Sequence, residues 1–223
     1  MRKLVYYVAS TIDGFIAGPD GEFDFFPISA ELMAVMNAEL PETVPTHFRA
    51  PAGLTDTPNR RFDTVVMGRG TYEPALKEGI TSPYAHLKQY VFSRTLPPAT
   101  EPEVEIVAGD PAEFVRELKS RDGGDIWLCG GGDLAGQLLP EVDEFIIKLN
   151  PVVIGSRIPL ARRDFRPAQA DPDRVPGLRQ RGRAAALPSR NTLIRLPSDG
   201  AQRRSGLVLA DRPRRPDPRR PRR

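Results

Sequence analysis

Cysteine is nearly absent from this chain, which has one, Cys129, in 223 residues. A single thiol excludes an intramolecular disulfide and any site built from several cysteines, and it agrees with a cytoplasmic location. Long apolar runs are absent too. None approaches the ~18 residues of a membrane span, so a soluble protein with no membrane partner is expected. The segment Met1 to Ala9 is charged at its start and then apolar. Ser10, Thr11 and Asp13 interrupt it too early for the core of a secretory signal, and it reads as a buried first strand. Aromatic residues stop at Phe165, and neither Lys nor Glu occurs after residue 160.

These last absences divide the chain. Residues 161–223 hold 18 Arg and 6 Asp, a charge of +12, which leaves −9 for residues 1–160 within the overall +3. The basic total is therefore no sign of a nucleic-acid-binding core. Nine prolines in residues 161–223 oppose helix and central strand. Only Thr192 to Leu196 and Gly206 to Ala210 are apolar there. The expected organisation is one domain over 1–165 and an Arg/Pro-rich tail over 166–223. That tail is disordered or aberrant on this reading, because it buries too little apolar surface to offset its chain entropy. Charge alone could draw it to nucleic acid or acidic membranes. Its interspersed Asp and Pro argue against a specific nucleic-acid site.

Within the first part, short runs rich in β-branched and aromatic residues predict strands at Leu4 to Ala9, Thr64 to Met67, Gln89 to Ser93, Val104 to Val107, Asp125 to Cys129 and Phe145 to Leu149. Helical signals lie between them. Ser29 caps a helix through Glu39 with Leu32, Val35, Met36 and Leu40 on one face. Asp110-Pro111-Ala112-Glu113 opens a second, with Phe114 and Leu118 toward the sheet. Asp133 caps a third, running to Leu139. Alternating strands and helices define an α/β fold whose mostly parallel central sheet is flanked by helices in three layers. Residues 41–62, with four prolines, read as a surface excursion near a cleft or a short helix within loop.

Four segments carry chemistry. In Val65-Val66-Met67-Gly68-Arg69-Gly70-Thr71-Tyr72-Glu73 a strand runs through a glycine turn into a helix capped by Thr71. Free N–H groups at that start and the Arg69 guanidinium suit a phosphate, although a plain strand-to-helix turn is an equal alternative. In Cys129-Gly130-Gly131-Gly132-Asp133-Leu134 three glycines follow a buried strand, where bare backbone can approach a pyrophosphate. Gly130, Gly132 and Gly136 also approximate a Rossmann signature, but no acid follows at the end of a next strand. Ser93-Arg94-Thr95 ends a strand where α/β sheets bind ligands and could hold a 2′-phosphate. Ala9-Ser10-Thr11-Ile12-Asp13-Gly14-Phe15-Ile16 and Pro19-Asp20-Gly21 contain two turns, for which hairpin chemistry is the simple reading.

In this order the four segments resemble the dihydrofolate reductase superfamily, and within it the RibD C-terminal domain, the reductase part of a bacterial bifunctional deaminase-reductase. The resemblance covers residues 2 to 160 and implies an NADPH-dependent reductase. It implies that Ala9 and Ile16 line a nicotinamide pocket below a loop begun by Asp13-Gly14. Gly68, Arg69, Gly70 and Thr71 would hold cofactor phosphates, and Ser93, Arg94 and Thr95 the 2′-phosphate. Gly130, Gly131, Gly132, Asp133 and Leu134 would wrap the pyrophosphate, with a non-proline cis bond between Gly130 and Gly131. Family chemistry is hydride transfer to a small pterin- or pyrimidine-like heterocycle, with Asp13 or Glu31 as the catalytic carboxylate. A cofactor-binding module without turnover is the alternative. The resemblance further implies a homodimer, and no metal is expected. The largest departure follows Leu160, where the superfamily completes its sheet with a last hairpin and this sequence offers no convincing counterpart.

Overall fold

A computed structural model describes residues 1–27, 30–164 and the backbone of 192–197. Six strands form a parallel array: β1 (Leu4–Thr11), β3 (Phe62–Gly68), β4 (Lys88–Phe92), β5 (Val104–Val107), β6 (Asp125–Gly130) and β7 (Glu144–Asn150). A seventh, β9 (Thr192–Pro197), adds antiparallel to β7, giving the order β5-β4-β3-β6-β1-β7-β9. All six parallel strands occur where the sequence pattern places them. They are apolar on both faces because both faces are covered. Leu4, Tyr6 and Val8 join one buried cluster, while Val5 and Tyr7 join the other. This is the period-two alternation of a strand between two layers.

One layer holds α4 (Pro111–Ser120) and α5 (Gly132–Leu138). Asp110 Oδ1 accepts from Glu113 N at 2.8 Å as an N-cap, and Val115 and Leu118 are buried. Phe114 packs edge-on against Tyr90 and Phe92. The other layer holds α1 (Ala30–Glu39) and α3 (Arg69–Lys77). Two helix starts differ from the sequence reading. Neither Thr71 nor Asp133 is a cap: Gly68 and Gly131 stand at those N-caps without side-chain hydrogen bonds, because each helix begins directly where its strand ends. The capping role of Ser29 falls outside the described residues. Val35 of α1 is exposed rather than on the buried face.

The 41–62 excursion contains a short 3-10 turn at Pro41–Thr43 and α2 (Thr46–Arg49). It is closed by Glu42, whose buried carboxylate accepts from Arg60 N, Arg61 N and Phe62 N at 3.2, 2.8 and 2.8 Å. Three donors satisfy a charge that burial alone would strongly disfavour.

Two expectations need correction. The turns around Gly14 and Gly21 do not make a local hairpin. Instead β2 (Phe15–Ala17) pairs antiparallel with the distant β8 (Ile158–Pro159) in a small second sheet. The sheet also receives a last strand from the supposed tail, since Thr192 to Leu196 pairs with Leu149 to Phe145. That run is one of the two apolar stretches of the tail, and its backbone pairs along the edge of β7 that would otherwise be open. The rest of residues 166–223 lies outside the described residues.

Glycine serves packing at two positions of α5. A Cβ at Gly132 would collide with the Pro159 carbonyl, and one at Gly136 with the Arg162 backbone, whereas Gly70 in α3 has open space around it. Gly136→Ala is therefore expected to lower stability by about 1–3 kcal/mol. Gly70→Ala should be neutral or stabilising by up to about 1 kcal/mol, as thermal melts of the two variants will show. A chain ending at Arg190 loses β9 and bares β7. Its melting temperature should fall by several degrees, at about 2–4 °C per kcal/mol for a chain of this size; an unchanged melt would contradict the β7–β9 pairing.

Candidate functional site

Parallel strands direct all their carboxyl ends to one edge of the sheet, and a cleft of about 1430 Å³ lies there. That is more than the roughly 300–1,000 Å³ of a pocket for one drug-sized molecule. It leaves room for more than one such molecule.

The structure brings most of the segments read from sequence into this cleft. Its wall includes Ala9 and Ile16; Gly68, Arg69, Gly70 and Thr71; Ser93, Arg94 and Thr95; and Gly130, Gly131, Gly132, Asp133 and Leu134. β6 inserts beside β3, so Met67 pairs with Gly130, and a Cβ on Gly68 would come within 3.5 Å of Gly131 N. The Thr71 hydroxyl faces both Gly130 and Gly131. The Gly130–Gly131 bond is cis, and Gly130 has φ +134°, which a side chain would disfavour. Arg69 ties two of the segments together. It donates to Glu73 Oε1 from Nε and to Thr95 Oγ1 from Nη1, each at 2.6 Å. Ser93 Oγ accepts from Thr95 N and Leu96 N at 3.2 and 3.1 Å, which fixes the turn that leaves Arg94 exposed.

The two carboxylates do not join them. Asp13 is outside the cleft wall, and its oxygens accept from Gly155 N at 2.7 Å and Ile154 N at 3.1 Å. A Thr11 hydrogen bond, then those from Gly155 and Ile154, hold its carboxyl below the usual aspartate range. It stays ionised at neutral pH and pins the 150–155 turn, which leaves no proton to donate. Glu31 is an exposed acid in the first turn of α1, also off the cleft wall. The same helix contributes Leu32, Met33, Met36 and Asn37 instead.

The sequence reading missed a group on the α1-facing side of the sheet: Tyr7, Tyr84, Trp127, Cys129 and Lys148. Two of its members follow core residues at period two, Cys129 after Trp127 and Lys148 after Ile146, just as Ala9 follows Tyr7. Each strand thus carries its buried face on into the cleft. Lys148 Nζ lies 4.4 Å from the Tyr7 ring centroid. Tyr84 meets Trp127 edge-on at 4.9 Å, and Trp127 Nε1 donates to Tyr7 O at 3.0 Å. Desolvation pulls the Lys148 ammonium below the ordinary lysine range, opposed by attraction to Cys129. Burial pushes the Cys129 thiol up to about 11, opposed by Lys148 and a Tyr84 hydrogen bond. A lysine at the end of an otherwise apolar strand was the available signal.

Among the described residues no cluster of His, Cys, Asp or Glu could hold a metal, and no helix is long and apolar enough to cross a membrane.

A parallel sheet covered on both faces, with a glycine-lined cleft at its carboxyl edge, places the molecule in the doubly covered α/β class. Residues 2–169 match the RibD C-terminal domain, and the chain belongs to that family. It is 32% identical over 163 residues to uncharacterized protein YwjB of Bacillus subtilis strain 168, covering 71% of this chain and 82% of that one. Uncharacterized protein YyaP of the same organism is 30% identical over 172 residues, covering 71% and 80%. A protein of Shewanella sp. PV-4 assigned to riboflavin biosynthesis has the same fold, with a TM-score of 0.59, 19% identity and coverage of 88% of this chain and 98% of that one. So does the diaminohydroxyphosphoribosylaminopyrimidine deaminase/5-amino-6-(5-phosphoribosylamino)uracil reductase of Thermotoga maritima, at 0.54, 15%, 88% and 56%.

The raised thiol offers a direct check. In the folded protein at pH 8, Cys129 should react with iodoacetamide far more slowly than in the urea-unfolded chain, and its rate should climb only toward about pH 11. A native rate already levelling off near pH 8.5 would contradict this environment.

Proposed function

We propose that this chain is an NADPH-dependent reductase that delivers hydride to a small heterocyclic, pterin- or pyrimidine-like substrate. The observation that carries the reading is the convergence of three backbone segments, Gly68 to Thr71, Ser93 to Thr95 and Gly130 to Leu134, on one cleft. Around Gly70 nothing lies within 4 Å of the Cβ position, and at Gly131 only the Thr71 hydroxyl does, so bare backbone N–H groups can approach a pyrophosphate. Arg94, with Ser93 and Thr95 beside it and Arg69 braced against Thr95, supplies the charge that a 2′-phosphate requires. These features fit NADPH, which would bring the hydride donor when bound. The residues' part is then to hold the dinucleotide along the glycine segments and to leave Ala9 and Ile16 beside its reactive end. Membership of the RibD C-terminal domain family supports the same reading.

A second reading is a cofactor-binding module without turnover. It is favoured by the position of Asp13 and Glu31, neither of which lines the cleft.

Titration calorimetry with NADPH and NADH distinguishes these possibilities in stages. NADPH should bind more tightly. Arg94→Ala should weaken NADPH by about tenfold, the size of one charge-assisted hydrogen bond, and leave NADH nearly unchanged. Equal loss for both cofactors, or no binding of either, would remove the 2′-phosphate assignment. Cofactor oxidation in a screen of pterins and pyrimidines separates reductase from module.

A further inference from the structure

The cleft contains more than the glycine segments account for. Its far part is apolar and aromatic. Tyr7, Tyr84 and Trp127 line it, as do Phe23, Met33 and Phe48, all three of which are markedly exposed. Exposed apolar side chains around a concavity mark a place where an apolar ligand gains from leaving water.

Charge narrows the ligand further. The cleft wall has three cations, Arg69, Arg94 and Lys148. The two arginines stand by the Ser93–Thr95 turn. Lys148 lies over Tyr7 on β7, two strands beyond β6, and is the one cation of the aromatic part. The carboxylates of the wall are Asp110 and Asp133, which belong to the helix starts after β5 and β6. Among the described residues Lys148 makes no ion pair, so its partly desolvated charge meets no counter-ion among them. An unpaired cation held against a ring in a desolvated pocket is costly unless something completes it. Cys129, the nearest titratable neighbour, is a neutral thiol at physiological pH and does not complete it.

We propose that the aromatic part of the cleft binds a flat aromatic ligand carrying one anionic oxygen group, with Lys148 Nζ as its counter-charge and Tyr7, Tyr84 and Trp127 as its apolar floor. As a substrate class this rests on the reductase reading, whereas as a binding site it stands separately. A single cation suits one carboxylate or phenolate and does not suit a phosphorylated sugar, whose double charge calls for several basic groups.

Trp127 is the chain's only tryptophan and sits at the site, so its fluorescence reports occupancy. The probes are naphthalene carboxylate and its neutral carboxamide, each titrated into the full chain with and without NADPH, in wild type, Lys148→Met and Lys148→Arg. The carboxylate should bind wild type at least about tenfold more tightly than the carboxamide. Lys148→Met should abolish that preference and Lys148→Arg retain most of it. NADPH binding should be the same in all three proteins. The wild-type comparison of the two probes holds even if a variant fails to fold. Equal affinity of carboxylate and carboxamide for wild type, or a preference that survives in a folded Lys148→Met, would overturn the proposal whether or not NADPH binds. A Lys148-dependent preference without NADPH binding would sustain the site and defeat the reductase reading.

Discussion

The insertion of β6 between β1 and β3 is the constraint on which the rest of this molecule depends. The chain leaves β1, passes through β2, α1 and the 41–62 excursion, and begins β3 one strand's width away. It then builds outward through β4 and β5 and returns to fill the gap with β6. Parallel ladders on both sides of β6 align its carboxyl end with those of β1 and β3. As a result Gly130 and Gly131 meet Gly68 and Thr71, four residues more than fifty positions apart in the chain across the pair of turns. Without that strand order the glycine turns would be two unrelated loops.

The two edges of the sheet have opposite characters. At the amino edge Arg61 spans Asp125 and Glu144 at 3.0 and 2.6 Å, and Arg2 joins Asp63 and Gly124. Charges are matched there, and the chain is locked. At the carboxyl edge polar groups are left open, glycines replace side chains, and Lys148 has no counter-ion among the described residues. Binding sites tolerate such incompletely satisfied groups because a ligand can satisfy them, while the matched edge keeps the scaffold in register.

Glycine illustrates how one residue type serves two purposes. Gly132 and Gly136 are small because the 158–162 segment lies on α5, with Arg162 N donating to Gly132 O at 2.8 Å. Gly70 faces open space, and Gly131 meets only the Thr71 hydroxyl at 3.5 Å. The sequence reading assigned all three of Gly130, Gly131 and Gly132 to phosphate contact. The packing neighbour of Gly132, Pro159, is 27 positions away and left no local trace. Asp13 is a similar case: the family resemblance made it a candidate catalytic carboxylate, yet its oxygens accept from the amides of Ile154 and Gly155.

By itself the sequence determined the six parallel strands, the start of α4 at Asp110-Pro111 and the strand-glycine-helix character of the two main turns. These follow from alternation, capping chemistry and backbone freedom within a few residues. Only the tertiary structure decided that β2 pairs with β8, that Thr192–Pro197 closes the sheet beside β7, that Glu42 is buried under three amides, and that Lys148 enters the cleft over Tyr7. Each of these depends on a partner brought close by chain folding. Hydrogen bonding and desolvation act over a few ångströms of space, whatever the separation along the chain.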